Sequence, residues 1–289
     1  MKRTPRLGQH FLKSKWAARS LAYAVGISRG DTVLEIGPGK GALTRELLAI
    51  AKDVGARVVA IEKDEALVAK LKETFSEEIN SGILVIIAGD IRDINQGETL
   101  KTPRSHLAGQ SYVVAANILY YITGEIIRQF LTAEEQPRAM ALLVQKEVAQ
   151  RIISKKESLL SLSVKAYGTP KIVAKVPRGN FSPPPNVDSA ILLVQNISRD
   201  FFSGPVRSDA SNGASVSEEL FFKVIHAGFK SKRKFLLSNL AGTFGKEGVA
   251  RAFSECGISM KARAEDVPLG KWKNLAMKLR LIATESTGR

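Results

Sequence analysis

Asp31-Thr-Val-Leu-Glu-Ile-Gly-Pro-Gly-Lys-Gly-Ala-Leu-Thr44 decides how the rest of this chain is read. An apolar run closes on Glu35 and Ile36, then Gly37, Gly39 and Gly41 fall at alternate positions before a helical pattern begins. That order spells a strand, a tight turn with bared backbone, and a helix N-terminus, the local form of a nucleotide-binding turn. The turn alone leaves the ligand open, because Gly37-Pro-Gly-Lys-Gly-Ala42 also satisfies the dinucleotide pattern G-x-G-x-x-A.

Outward from the turn, short β-branched runs alternate with amphipathic segments. The runs predict strands at Thr32–Ile36, Arg57–Ile61, Ile83–Ala88, Tyr112–Ala116, Ala139–Val144 and Ala190–Val194. Leu43 with Leu47 starts one helix, and Asp64 is placed to cap another that carries Leu67, Leu71 and Phe75. Such alternation predicts an α/β domain over residues 1–197, with a mostly parallel sheet covered on both faces. Residues 198–217, rich in Ser, Asp, Asn and Gly, read as a linker or loop. Residues 218–289 read as a small all-α domain, with Leu220, Val224 and Ile225 on one apolar face.

Composition narrows the partners. Forty-three Lys and Arg against 28 Asp and Glu give a formal charge of +15, which a fold does not need and which a polyanion would explain. The last 72 residues carry 14 Lys and Arg against 7 Asp and Glu. No apolar run reaches the roughly 18 residues of a membrane span, and no Cys/His cluster has metal-ligand spacing. Cys256 stands alone, and the N-terminus has no apolar signal core, so a reduced, cytoplasmic, metal-free monomer is expected.

Three carboxylates discriminate the ligand. Glu35 precedes the glycine turn, where it repels a pyrophosphate but attracts the ammonium of a methionine moiety. Glu62 ends the second strand, placed to accept both ribose hydroxyls, and Asp90 ends the third, placed for an adenine amino group. Together they line the carboxyl edge where doubly wound sheets bind ligands, and they suit S-adenosyl-L-methionine better than a nicotinamide dinucleotide.

The fourth strand runs into Asn117-Ile-Leu-Tyr120. An adenine N6 amine is a weak nucleophile, its lone pair delocalised into the ring. The Asn117 side-chain oxygen and the Leu119 carbonyl are placed to accept its two hydrogens, leaving the nitrogen pyramidal and aimed at a methyl group. Positioning and electrostatics then carry the reaction. Tyr120 is placed to stack on a base drawn out of its helix.

At these residues the chain resembles a known family, the ribosomal RNA adenine N6-dimethyltransferases of the KsgA type. The resemblance runs through Gly8-Gln-His-Phe-Leu12, Glu35-Ile-Gly-Pro-Gly-Lys-Gly41, Ile61-Glu-Lys-Asp64, Gly89-Asp90 and Asn117-Ile-Leu-Tyr120. It continues through Gly179-Asn-Phe-Ser-Pro-Pro-Pro-Asn-Val-Asp-Ser189 and Phe229-Lys-Ser-Lys-Arg-Lys-Phe-Leu-Leu-Ser-Asn-Leu240. It implies a Rossmann-like class I methyltransferase sheet with S-adenosyl-L-methionine as cofactor. His10, Leu12, Glu35, Gly37, Gly39, Glu62, Asp90 and Asn117 are then the implied cofactor contacts, and Phe181 an aromatic that clamps the target adenine opposite Tyr120. The implied substrate is a pair of adjacent adenosines in the 3′-terminal hairpin loop of small-subunit (16S) ribosomal RNA, each dimethylated during ribosome assembly. The family reads Pro where this chain has Leu119; the stiffness of Pro is lost at that turn, which predicts a reduced rate or a looser pose, not loss of the chemistry.

Lys230, Lys232, Arg233 and Lys234 form a basic run between two phenylalanines, read as an RNA-phosphate surface, with Arg151, Lys155 and Lys156 as weaker additions. The rival readings are a large-subunit RNA methylase of the macrolide-resistance type and a non-catalytic RNA-binding relative. The Asn180–Ser189 segment and Ala262-Arg-Ala-Glu265 favour the small-subunit type.

Overall fold

The structure, a computed structural model, describes residues 10–93, 111–203 and 215–287. Gly8, Gln9 and most of the expected linker lie outside them. The chain divides into two units, one of residues 1–150 and 169–197, the other of residues 151–168 and 198–289.

The first unit is built on a seven-stranded sheet. Its strands are β2 (Thr32–Ile36), β3 (Arg57–Glu62), β4 (Leu84–Ala88), β5 (Tyr112–Asn117), β6 (Ala139–Gln145), β7 (Thr169–Val176) and β9 (Ser189–Gln195). A separate two-stranded ribbon pairs β1 (Phe11–Leu12) with β8 (Phe181–Ser182). The sheet order is β4-β3-β2-β5-β6-β9-β7, with the first five strands parallel and β9 antiparallel to both β6 and β7.

β2 sits near the middle and is buried along its whole length, as a parallel strand covered on both faces must be. The register places Ile36 beside Ile61 and Ala116, Glu62 beside Ala88, and Asn117 beside Leu143. The glycine turn, Glu62, Gly89 and Asn117 therefore leave the sheet along one edge.

All six strands expected from periodicity are present. β7 was not anticipated, for a physical reason: it is an edge strand carrying Pro170, Lys171 and Lys175, with a bulge between Ile172 and Ala174. Edge strands use Pro, Lys and bulges against further pairing, and those same features hide the strand signal.

Helices cover the sheet through apolar faces. Leu43 and Leu47 of the helix Ala42–Val54 are buried, as are Leu71 and Phe75 after the Asp64 cap, which accepts from the Ala66 and Leu67 N–H groups. Among the described residues no helix is long and apolar enough to cross a membrane.

The second unit contains the helices Leu159–Tyr167, Asp200–Ser203, Glu218–Gly228, Leu236–Phe244, Lys246–Glu255 and Leu269–Thr287. Phe221, Val224, Ile225 and Gly228 form the buried face of Glu218–Gly228, while Leu220 is only half-buried, one step off the stripe expected. Gly228 lies directly under Trp272, where a Cβ would come within 2.3 Å of the indole. The stretch expected as linker holds the short helix Asp200–Ser203, whose Phe202 is buried against Tyr167 and Phe221.

Candidate functional site

A cavity of about 270 Å³ opens at the carboxyl edge of the sheet. Gly37, Gly39, Glu62, Asp90, Asn117 and Leu119 all contribute to its wall, together with His10, Phe11 and Leu12 from the ribbon. The parallel register brings the strand ends together, and the ribbon adds the N-terminal segment.

The glycines at the turn have specific causes. Gly39 has φ +61° and an added Cβ would lie 3.1 Å from the Phe11 ring. At Gly41, φ +78°, it would lie 2.6 Å from the Phe75 ring, so a side chain there would displace the helix packing. The Gly39 N–H donates to Glu62 Oε2 at 3.0 Å, and the Asp64 N–H donates to Glu62 Oε1 at 3.0 Å. A turn that cradles pyrophosphate keeps its N–H groups for the anion; here a carboxylate takes one and brings a negative charge to the cavity. That arrangement disfavours a dinucleotide. It suits a ligand presenting hydroxyl and cationic groups, and a carboxylate with lone pairs to spare beside the turn fits a ribose.

Glu35 does not reach the cavity wall. Strand alternation sends its side chain away from the direction of Ile36, and it is 1% exposed with neither oxygen hydrogen-bonded. Burial, with the charge of Glu62 adding to it, raises its pKa to about 8. The expected direct contact between Glu35 and a ligand ammonium is therefore not the arrangement seen: the carboxyl group sits behind the wall.

Asp90 is on the wall but fully engaged. It accepts from the Arg92 N–H at 3.1 Å, Arg92 Nε at 3.0 Å, Arg92 Nη2 at 2.6 Å and Lys63 Nζ at 2.9 Å. The Arg92 fork, with Lys63, holds its carboxyl well below the usual carboxylate range. An adenine amino group at this position would share or replace one of those donors.

His10 joins three of the sequence motifs. Its Nδ1–H donates to the Pro183 carbonyl at 2.8 Å, its own carbonyl accepts from Asn117 Nδ2 at 3.2 Å, and its ring stacks on Tyr120 at 5.9 Å between centroids. With Nδ2 engaged by His10, the Asn117 Oδ1 is the atom left to accept. Leu119 has φ −63° and ψ 132°, the backbone setting that proline would impose, and its carbonyl accepts from the Ile122 N–H at 3.2 Å. The carbonyl's second lone pair faces no such requirement.

Two aromatic expectations meet a different arrangement. The Tyr120 hydroxyl is hydrogen-bonded to Ser189 Oγ at 2.6 Å and burial pushes its pKa up, so the phenol stays protonated. One face of its ring is already covered by His10. Phe181 is 1% exposed and belongs to the hydrophobic core with Leu12, its register partner, rather than to the cavity wall. Phe181 opens β8, and pairing with Leu12 turns its side chain inward. The exposed aromatic on the wall is Tyr121, 72% accessible, which the sequence reading passed over. Arg92 and Phe11 were passed over too, although Arg92 stands only two residues beyond Asp90.

In the helical unit, Lys230, Lys232, Arg233 and Lys234 are exposed on the loop between Glu218–Gly228 and Leu236–Phe244. The buried Asn239 fixes that loop by donating to the Gly228 and Ser231 carbonyls at 2.7 and 3.0 Å. Phe229 stacks on Trp272 at 5.6 Å. Arg151 and Lys155 are exposed; Lys156 is paired with Glu265 at 3.1 Å, which reduces its use as a phosphate contact. No cluster of three or more metal-ligating side chains occurs among the described residues.

The family model described as ribosomal RNA adenine dimethylase matches residues 1–280. The "Ribosomal RNA small subunit methyltransferase A" of Dehalococcoides mccartyi is 39% identical over 277 residues, covering 94% of this chain and 86% of the relative. The protein of the same name from Clostridioides difficile is 34% identical, covering 93% and 88%. Among solved structures, a dimethyladenosine transferase from Plasmodium falciparum superposes with a TM-score of 0.71 at 21% identity, over 95% of this chain and 98% of the other. The 23S rRNA methyltransferase ErmE gives 0.68 at 22%, over 93% and 99%. At these identities the structural likeness bears on the fold, and the fold is that of class I methyltransferases.

Proposed function

The chain belongs to the ribosomal RNA adenine dimethylase family, and from that premise we propose that it dimethylates N6 of two adjacent adenosines in the 3′-terminal hairpin loop of small-subunit ribosomal RNA. The observation that carries the reading is the convergence of Asn117 and Leu119 on the same cavity as Gly37, Gly39, Glu62 and Asp90. One set of groups suits a nucleoside-bearing methyl donor, and the other suits an amine.

The cofactor is S-adenosyl-L-methionine, whose sulfonium supplies an electrophilic methyl group when bound. Glu62 holds the turn closed through Gly39 and offers its remaining lone pairs to ribose hydroxyls. Asp90, kept ionised by Arg92 and Lys63, accepts from an adenine amino group that shares or replaces one of those donors. His10, Phe11 and Leu12 close the cavity from the N-terminal side.

The substrate amine is oriented by Asn117 Oδ1 and the Leu119 carbonyl, each accepting one N6 hydrogen. That draws the nitrogen lone pair out of conjugation and toward the methyl group. His10 fixes which way the Asn117 amide points by taking its Nδ2 hydrogen. The Tyr120 ring is held by Ser189 at its hydroxyl and by His10 at one face, so a base stacked on it would use the opposite face. Because Phe181 is packed in the core, its contribution is to hold β8 and hence Pro183 beneath His10.

The loop carrying Lys230, Lys232, Arg233 and Lys234 tracks RNA phosphates in this reading. The reaction belongs to the cytoplasm, where small ribosomal subunits assemble. Purified protein given isotopically labelled S-adenosyl-L-methionine and small-subunit RNA or assembling subunits should transfer label to adenine. Label on large-subunit RNA alone would refute the assignment.

A further inference from the structure

The helix Lys15–Ala24 presents an outer face that nothing in the site absorbs. Its inner face, Ala17, Ala18, Leu21 and Ala22, is buried against the sheet, small residues allowing close approach. On the outer face Trp16 and Tyr23 are 54% and 59% exposed. With Arg19 they fall at i, i+3 and i+7, within roughly 60° of one another around the helix axis. The Arg19 guanidinium lies over the Tyr23 ring, 5.6 Å from its centroid. Lys13 and Lys15 are exposed just before, and the helix itself carries no acidic residue.

Single exposed aromatics need no explanation. Two large rings flanking an arginine, with further cations at the helix start, are another matter. Water solvates the rings poorly, and a cation-only face repels a second copy of itself. Trp16 and Tyr23 stand about 10 Å apart along the axis, about three stacked nucleotide steps at ~3.4 Å each. Every base has a π-face, so such a pair of platforms binds bases without reading them, while the cations between and before them meet phosphates. Glu46, on the neighbouring helix, is the acidic group whose charge reaches Arg19 and offsets part of this attraction.

We infer that the Trp16–Arg19–Tyr23 face is a second RNA-contact surface, carried by the catalytic unit and separate from the basic loop at Lys230–Lys234. It binds a single-stranded or looped stretch of the same ribosomal RNA by stacking and phosphate contact. The inference rests on the proposed function for the identity of the RNA and on the helix alone for its location.

The chain has two tryptophans, and Trp272 is wholly buried in the helical unit. Both tryptophans emit, and Trp272 is shielded from direct stacking on a base, so the part of an RNA-induced quench that is lost in Trp16→Phe reports on Trp16. Titrating the full-length protein with a transcript of the 3′ domain of small-subunit RNA should quench emission, and Trp16→Phe should abolish the quench while leaving cofactor binding unchanged. The double substitution Trp16→Ala/Tyr23→Ala should weaken RNA binding about tenfold or more. Lys15→Gln/Arg19→Gln should lower the slope of log affinity against log salt by about two units. In both double variants kcat at saturating RNA should hold, with the loss appearing in KM.

Wild-type protein that methylates the transcript without Trp16 quenching, or a double aromatic variant that binds it normally, overturns the inference and leaves the proposed function standing. A double variant normal with naked transcript but defective on assembled subunits overturns it as well, since the occupant is then a protein. Failure of the wild-type protein to bind or methylate the transcript and the assembling subunit alike would instead count against the proposed function.

Discussion

Asn117 Nδ2 donates to the His10 carbonyl at 3.2 Å, across 107 residues of sequence. That bond ties the end of β5 to the N-terminal ribbon and settles which atom of the amide faces outward. Replacing Asn117 by Ala removes both the bond and the N6 acceptor. Methyl transfer should fall by about 10²-fold or more, with a much smaller change in cofactor affinity. Single-turnover rates beside equilibrium cofactor binding would check this; undiminished transfer would remove Asn117 from the reaction.

Leu119 already holds φ −63°, so the proline usual in the family would fit the backbone without moving it. Leu119→Pro should be tolerated and should raise stability by about 0.4–1 kcal/mol through the unfolded chain. The rate should stay level or increase. The leucine keeps the proline geometry, and what the sequence expectation says is lost, the rigidity of the ring, is what this variant restores. Denaturant melts and initial rates of the variant measure both effects, and a destabilised, slower enzyme would show that the leucine N–H is needed.

Glu62 anchors the turn through two backbone N–H groups and faces the ribose position. Glu62→Gln leaves one oxygen where two were accepting and sets an N–H donor against a backbone N–H. Cofactor affinity should drop by about tenfold or more, since the ribose hydroxyls lose a charged acceptor, a hydrogen bond worth on the order of 1.5–3 kcal/mol, and meet a turn that has lost one anchor. Calorimetric titration with S-adenosyl-L-methionine tests this directly.

Glu35 gives the protein a pH signature. Its folded-state pKa, about 8, lies above the ordinary carboxylate value, so the folded form holds a proton that the unfolded chain releases. The stabilisation from that proton is complete below the unfolded-state pKa of about 4.3, and it is lost as pH rises through the folded-state value. Glu35→Gln should therefore flatten stability between mildly acidic and mildly alkaline pH, and at alkaline pH should melt above the wild-type protein. Thermal melts of both proteins across that window would show parallel curves if the carboxyl is not protonated in the fold.

Lys232→Gln/Arg233→Gln should weaken RNA binding uniformly across sequences and lower the salt slope by about two units. Asn239 holds the loop from beneath and is untouched by the change, so the melting temperature should not move. An unaltered slope would place the phosphate contacts elsewhere.

The central strands were legible because buried parallel strands are continuous β-branched runs, and their bounds agree with the sequence reading to within a residue or two. β7 was hidden by the Pro and Lys that an edge strand needs. The register carries Glu62, Asp90 and Asn117 to one cavity, as expected from their strand ends. What periodicity does not say is which face of a strand or ribbon meets the cavity. So Glu35 falls behind the wall, Phe181 turns into the core, and Tyr121 and Arg92 reach the wall from positions that carry no pattern of their own. The hub role of His10 depends on contacts 107 and 173 residues away along the chain, which no local reading supplies.

The most direct measurement is mass analysis of small-subunit RNA from cells with the protein, without it, and with only the Asn117→Ala variant. Two adjacent N6,N6-dimethyladenosines are expected in the 3′-terminal hairpin loop when the wild-type protein is present, and unmethylated adenosines at both positions otherwise. Identical modification in all three samples would contradict the proposed function, as would a loss confined to large-subunit RNA.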